Sequence, residues 1–313
     1  VLLGSYLLEF RTFPLVRSKI KAVYKYKGLL KFSLPLLFSD IFIVVMGWID
    51  TFFLGALKTA TEVGVYNAVL PLVSTLTIFL SAFGNMFFPV SSELYAKNKF
   101  AEISATYSSV SRWMFLLSFP ILLVVLIFPR DILRILFGSP YASGALALQI
   151  LVVAYFIKVV AGPAPQTLMA FNKTKPLFYV NSLAAVINLF LNYFFIIKYG
   201  IVGAAMATAI SLLARDGVIF LIARKKLRLV YALGIYLKYI ISALLPLLFI
   251  LLAAKKYIGI NLLTLSLTII TYCGFYLFFL IIFKAFTQED FAFVEIVEKK
   301  VGISLKIIKK LIR

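Results

Sequence analysis

Eight apolar stretches, each about as long as a helix that crosses a bilayer, decide what this chain can fold into. They run approximately over 30–54, 66–92, 109–129, 145–169, 176–197, 201–223, 234–254 and 260–283. The hydrocarbon core of a membrane is about 30 Å thick, so a spanning helix needs about 20 predominantly apolar residues. Between the stretches lie turn-like or charged breaks: Lys58 to Gly64, Lys97-Asn98-Lys99, Gly138-Ser139-Pro140, Asn172 to Pro176, Tyr199-Gly200, Arg224 to Arg228 and Lys255 to Asn261. Several links are only a few residues long, which makes their helices antiparallel neighbours. A membrane β-barrel would instead show segments of about ten residues with alternating polarity. Runs such as Ile240 to Ala254 do not alternate. The expected fold class is an all-α integral membrane protein with about eight transmembrane helices.

Composition excludes the soluble alternatives. Of 313 residues, 63% are hydrophobic and 14% charged, whereas a soluble domain is about half apolar and about a quarter charged. The absence of histidine removes His-based acid/base chemistry, His metal sites and a Ser-His-Asp triad. Cys273 is the single cysteine, so no disulfide forms within the chain. No phosphate-binding glycine loop is present, and no extramembrane segment is long enough for a catalytic domain. The sequence therefore implies no enzyme, no cofactor and no metal centre.

The net charge of +20 reads as topology rather than nucleic-acid binding. If the Arg11–Lys31 segment is cytoplasmic and the spans alternate, 23 Lys and Arg fall inside and 6 outside, with Lys158, Arg215 and Lys238 within spans. The positive-inside rule then predicts a cytoplasmic C-terminus. In the tail, Val297, Val301, Leu305, Ile308 and Ile312 follow helical spacing, with Lys299, Lys306, Lys310 and Arg313 on another face. That pattern predicts a basic amphipathic helix on the inner leaflet over 285–313. At the other end, VLLGSYLL at 1–8 reads as the tail of a preceding membrane helix, so the expectation is a piece of a longer protein.

Charged groups within spans are costly, about 3 kcal/mol each on insertion scales, and mark cavities or partners. Asp40 lies about nine residues into the first stretch, roughly 13 Å deep at 1.5 Å per residue. Asp50 lies near the outer end of the same stretch, within reach of the interface. Lys158 sits mid-span, and Arg215 is too deep to reach water comfortably. Asp216 follows Arg215 directly, but adjacent residues on a helix do not face each other. Arg215 is therefore expected to take its partner from another helix, with Asp40 at similar depth. Two uses remain open for these charges: a cavity for an anion or coupling ion, and a buried structural ion pair. Asn181, Asn188 and Asn192 share one helix face and either glue helices together or line a polar cavity. Asn85 has the same two readings. Gly162-Pro163-Ala164-Pro165-Gln166 breaks the fourth span next to Lys158. Gly162, Pro163 and Pro165 are hinge candidates, and Gln166 is a cavity candidate. The small residues Gly203 to Ala207 predict close helix packing.

Three stretches carry a family resemblance: LLKFSLPLLFSDIFIVVMGWIDTFFLG with EVGVYN over 29–67, FGNMFFPVSSELYAKNK over 83–99, and AFNKTKPLFYVNSLAAVINLFLNYFFIIKYGIVGAAMATAIS over 170–211. Over about 28–225 the chain resembles the polysaccharide flippases, of O-antigen and teichoic-acid transporter type, in the multidrug/oligosaccharidyl-lipid/polysaccharide exporter superfamily. The resemblance implies two six-helix bundles and alternating access. In that frame 1–29 looks like the end of a preceding helix plus the cytoplasmic inter-bundle linker. Residues 30–225 look like the second bundle, 226–284 like two additional helices and 285–313 like the tail. The implied substrate is a polyprenyl-linked oligosaccharide in the cytoplasmic membrane. Membrane lipids, and glycan polymerase or glycosyltransferases, are the implied partners, and nucleic acid is not among them. Lys158 and Arg215 are then candidate anion contacts, Asn181, Asn188, Asn192, Gln166 and Asn85 candidate sugar contacts, and Asp40 or Asp50 candidate ion-coupling or charge-pair residues. The alternatives are a multidrug/cation antiporter, a peptidoglycan-precursor flippase, a membrane glycosyltransferase, and a scaffold of a glycan assembly complex.

Overall fold

The computed structural model describes residues 26–227, 233–257 and 262–286, all of them helical or in short connections. The helices are α1 (Tyr26–Leu57), α2 (Ala60–Ala96), α3 (Phe100–Ile127), α4 (Pro129–Phe137), α5 (Ala145–Val160), α6 (Ala164–Ala170), α7 (Thr174–Leu227), α8 (Leu233–Tyr257) and α9 (Leu262–Ile282). A single 3-10 turn, Ser139–Gly144, joins α4 to α5. The predicted tail helix over 285–313 and the basic segment before Tyr26 lie outside the described residues.

α7 is two helices in one. Gly200 sits at φ 56° and ψ −131° and turns the chain between arms 174–199 and 200–227. Such a backbone is open only to glycine at little cost. A Cβ here would stand 2.7 Å from Glu62 Oε1. Glu62 is itself fixed by the α2 N-terminus: Thr59 N–H donates to Glu62 Oε2 at 3.2 Å, and Glu62 N–H donates to Thr59 Oγ1 at 3.3 Å. This reciprocal pair satisfies two helix-end donors. Lys58 Nζ reaches across to the Ile197 carbonyl at 3.2 Å, so the α1–α2 turn and the α7 turn close one end of the bundle together.

Among the described residues six helices are long and apolar enough to cross a membrane, α5 with α6 counted as one, and α8 carries a shorter apolar stretch, Gly234–Leu248; with α7 divided at Gly200 these make eight apolar segments. They match the eight apolar stretches in order and approximate extent. The helix α4 was not expected; its Pro129, Ile132 and Leu133 are buried under the bundle end.

Packing follows from side-chain size. α1 lies along α7, and α5 runs between α2, α3 and α7. Ala204, Ala205 and Ala207 are fully buried in the second arm of α7. A Cβ on Gly203 would collide with the Phe195 backbone, so the small stripe lets the two arms pack face to face. α8 and α9 form a pair that docks on α3 through Phe115, Leu116, Tyr239, Ala243, Tyr276 and Leu280. Tyr276 Oη donates to the Leu116 carbonyl at 2.9 Å and ties α9 to α3. Large apolar side chains such as Trp48 and Phe52 are about 70% exposed. In water a surface of this kind would aggregate; in a bilayer it meets lipid or a neighbouring helix.

Candidate functional site

Two polar assemblies lie inside the helices. The first is built around Asp50, which is 3% exposed. Its Oδ2 accepts from Tyr66 Oη at 2.6 Å and from Thr208 Oγ1 at 2.5 Å, and its Oδ1 accepts from Asn192 Nδ2 at 2.7 Å. Asn192 Nδ2 also donates to the Asn188 carbonyl at 3.0 Å, and Asn188 Nδ2 makes a long 3.4 Å bond to Thr208 Oγ1. One carboxylate thus joins α1, α2 and both arms of α7. The expected position of Asp50 at the interface is corrected: its side chain points inward, away from lipid, where three donors replace water. Two acceptors of the cluster, Asn188 Oδ1 and Asn192 Oδ1, are buried with no hydrogen-bond partner.

The second assembly is a cavity of about 220 Å³ between α1, α5, α6 and the two arms of α7. Asp40, Lys158, Gln166, Asn181, Arg215 and Asp216 supply its polar wall. Gly162 and Pro165 line it beside them. The structure therefore gathers, in one place, residues that the sequence scatters over nearly 180 positions.

Arg215 does not reach to another helix for its charge partner. Nε donates to Asp216 Oδ1 at 2.9 Å and Nη2 to Asp216 Oδ2 at 3.0 Å. The rule that adjacent residues face apart gives way because both side chains are driven off the apolar surface into the same cavity wall. Asp40 is exposed to the cavity side and to a shallow hollow along α1, and no ion pair of Asp40 is found among the described residues. Lys158 Nζ lies 5.3 Å from the Tyr155 ring centroid, a cation–π distance.

The break between α5 and α6 is supported from α3. Tyr107 Oη donates to the Ala161 carbonyl, one of the acceptors that the proline-rich break leaves without a helical donor. Gly162 has φ 80°, and a Cβ there would run into Ser111 Oγ and the Tyr107 ring. Pro163 precedes α6 at its N-cap and is buried. Its carbonyl accepts from Thr167 Oγ1 at 3.0 Å. The Gly162-Pro163 unit is thus well seated rather than loose.

Asn181 donates from Nδ2 to Ser39 Oγ at 2.5 Å, and its Oδ1 is buried without a partner. Of the asparagine stripe, only Asn181 lines the cavity; Asn188 and Asn192 belong to the Asp50 cluster. Asn85 lines neither and is exposed on α2. Sequence reasoning singled out neither Tyr66 nor Thr208 nor Ser39. Hydroxyls within spans are common and usually bond their own helix, so only their position opposite Asp50 or Asn181 marks them.

Comparison with known proteins places a large part of the chain. The family model MatE matches residues 35–194. A protein of Haloferax volcanii described as "Probable low-salt glycan biosynthesis flippase Agl15" is 30% identical over 164 residues, which are 52% of this chain and 35% of that protein. A Shigella flexneri protein described as "Putative O-antigen transporter" is 27% identical over 198 residues, 63% of this chain and 47% of that one. The chain thus spans a third to a half of the length of these relatives. Among solved structures, the lipid II flippase MurJ in its inward closed conformation superposes with a TM-score of 0.60 at 16% identity, covering 90% of this chain and 60% of MurJ. That likeness speaks for the fold alone. With a family model covering half its length, from α1 through most of the first arm of α7, the chain belongs to the MatE family.

Proposed function

We propose that this protein flips a lipid-linked oligosaccharide across the cytoplasmic membrane by alternating access, as a step in polysaccharide biosynthesis. The observation that carries the reading is Lys158, a cation on the cavity wall with no ion-pair partner among the described residues. An unpaired cation within a span is costly unless it serves an anion, and a lipid-linked sugar carries its phosphate at membrane depth. The flippase and transporter names of the relatives support the same substrate class. Arg215, held by Asp216, and Asn181 extend the polar wall. The reading includes a cytoplasmic C-terminus. The test is flipping of a fluorescent lipid-linked oligosaccharide by full-length protein in liposomes. Lys158→Ala should lower the initial rate at least tenfold. If Lys158→Ala and Arg215→Ala both leave the rate intact, the anion site is wrong.

A second reading concerns coupling, and the Asp50 cluster favours it. A hard monovalent cation takes oxygen ligands, and here a carboxylate, the Thr208 hydroxyl and two partnerless amide oxygens sit together. Half a turn of the Asn192 amide would present its oxygen to the same centre. We infer that a small cation or proton taken up here drives the cycle. Sodium should raise the melting temperature of the full-length protein in choline buffer, and Asp50→Asn should abolish that rise. An equal rise in Asp50→Asn would end this reading.

A further inference from the structure

The cavity holds as many negative as positive side chains, and this balance narrows its ligand. Arg215 and Asp216 are locked to each other by two hydrogen bonds and neutralise one another. Two charges remain, Lys158 on α5 and Asp40 on α1, both lining the same cavity of about 220 Å³. Neither has an ion pair among the described residues, and they do not pair with each other. A simple anion would meet Lys158 but would also face the unpaired carboxylate of Asp40. Like charges set side by side in a weakly screened space cost free energy. A ligand carrying an anionic group and an amino group would satisfy both.

We propose that the cavity is selective for a zwitterionic glycan unit, a phosphate or carboxylate held at Lys158 together with a protonated amine held at Asp40. This rests on the flippase reading above and specifies its substrate class. The polar neighbours fit: Asn181 and Gln166 line the same cavity as the two charges.

The test uses two soluble probes with full-length protein in detergent. Glucosamine 1-phosphate carries both charges; N-acetylglucosamine 1-phosphate has the same phosphate with the amine made neutral. Titration should give roughly tenfold tighter binding of glucosamine 1-phosphate, a difference of about 1.4 kcal/mol. Asp40→Asn should erase that preference while N-acetylglucosamine 1-phosphate binds as well as before or better. Lys158→Gln should weaken both probes. If both probes bind through Lys158 with equal affinity, or if the preference persists in Asp40→Asn, the zwitterion proposal is overturned and the flippase reading stands. If binding of neither probe depends on Lys158, the anion site fails and the proposal falls with it. Circular dichroism and size-exclusion profiles of the variants separate loss of binding from loss of fold.

Discussion

Replacing Asp50 by alanine should show how the bundle depends on one buried carboxylate. Three donors point at it, but they do not suffer equally. Asn192 Nδ2 keeps its bond to the Asn188 carbonyl. Thr208 Oγ1 can swing to a carbonyl of its own helix. Tyr66 Oη, on a rigid ring in a fully buried side chain, donates to Asp50 and loses this charged acceptor, with the neighbouring Thr208 hydroxyl as the other polar group beside it. Its stranding costs about 1–3 kcal/mol. The space left by the carboxylate adds about 1 kcal/mol. Asp50→Ala should therefore destabilise the protein by about 2–4 kcal/mol. The assay is reversible unfolding of full-length protein by SDS in mixed micelles, in sodium-free buffer. The sharper readout is the cycle with Tyr66→Phe. In the native background that change removes a charge-assisted hydrogen bond and should cost about 1.5–3 kcal/mol. In Asp50→Ala it removes a stranded hydroxyl and should be close to neutral. A coupling of at least about 1 kcal/mol is expected, well above the roughly 0.5 kcal/mol scatter of independent sites. If Tyr66→Phe costs the same in both backgrounds, the reasoning is refuted.

Other perturbations probe the turns and ties. Gly200→Ala should cost about 1–3 kcal/mol, because the φ of 56° with ψ of −131° is strained for any Cβ; an unchanged melting temperature would mean that the α7 turn relaxes freely. Tyr276→Phe should lose about 1 kcal/mol and raise the labelling rate of the exposed Cys273 thiol on α9 by loosening α9 from α3; unchanged labelling by a membrane-permeant maleimide would speak against that tie.

The all-helical fold and the order of its apolar segments were legible because hydrophobic runs of bilayer length favour helices. Even the α7 turn was marked, since Tyr199-Gly200 interrupts two apolar runs. What the sequence hid is which residues meet. Asn192 and Asp50 are 142 positions apart and Thr208 and Asp50 are 158 apart, so their encounter is a product of how α1 packs along α7. The asparagine face was visible by its spacing, but not that it divides, with Asn181 going to the cavity and the other two to the Asp50 cluster. Asp50 was misplaced because depth along a helix says nothing of rotation about its axis. The Arg215–Asp216 pair was misjudged because a rule drawn from water-exposed helices ignores the pull of a polar cavity on both side chains. Asn85 shows the converse: a polar residue in a span need not join the polar wall.

The single-residue turn at Gly200 has a mechanical consequence. Its two arms have no loop between them, are pressed together over a stripe of alanines, and are pinned to α1 by the same carboxylate. That corner has no slack. A hairpin without slack cannot splay its arms without breaking the bonds to Asp50. The break between α5 and α6 is held differently, by a side chain from α3: a tyrosine hydroxyl stands in for a missing helical bond. Two walls of one cavity are thus braced by different means, one by a turn without a loop and the other by a hydroxyl laid across a break.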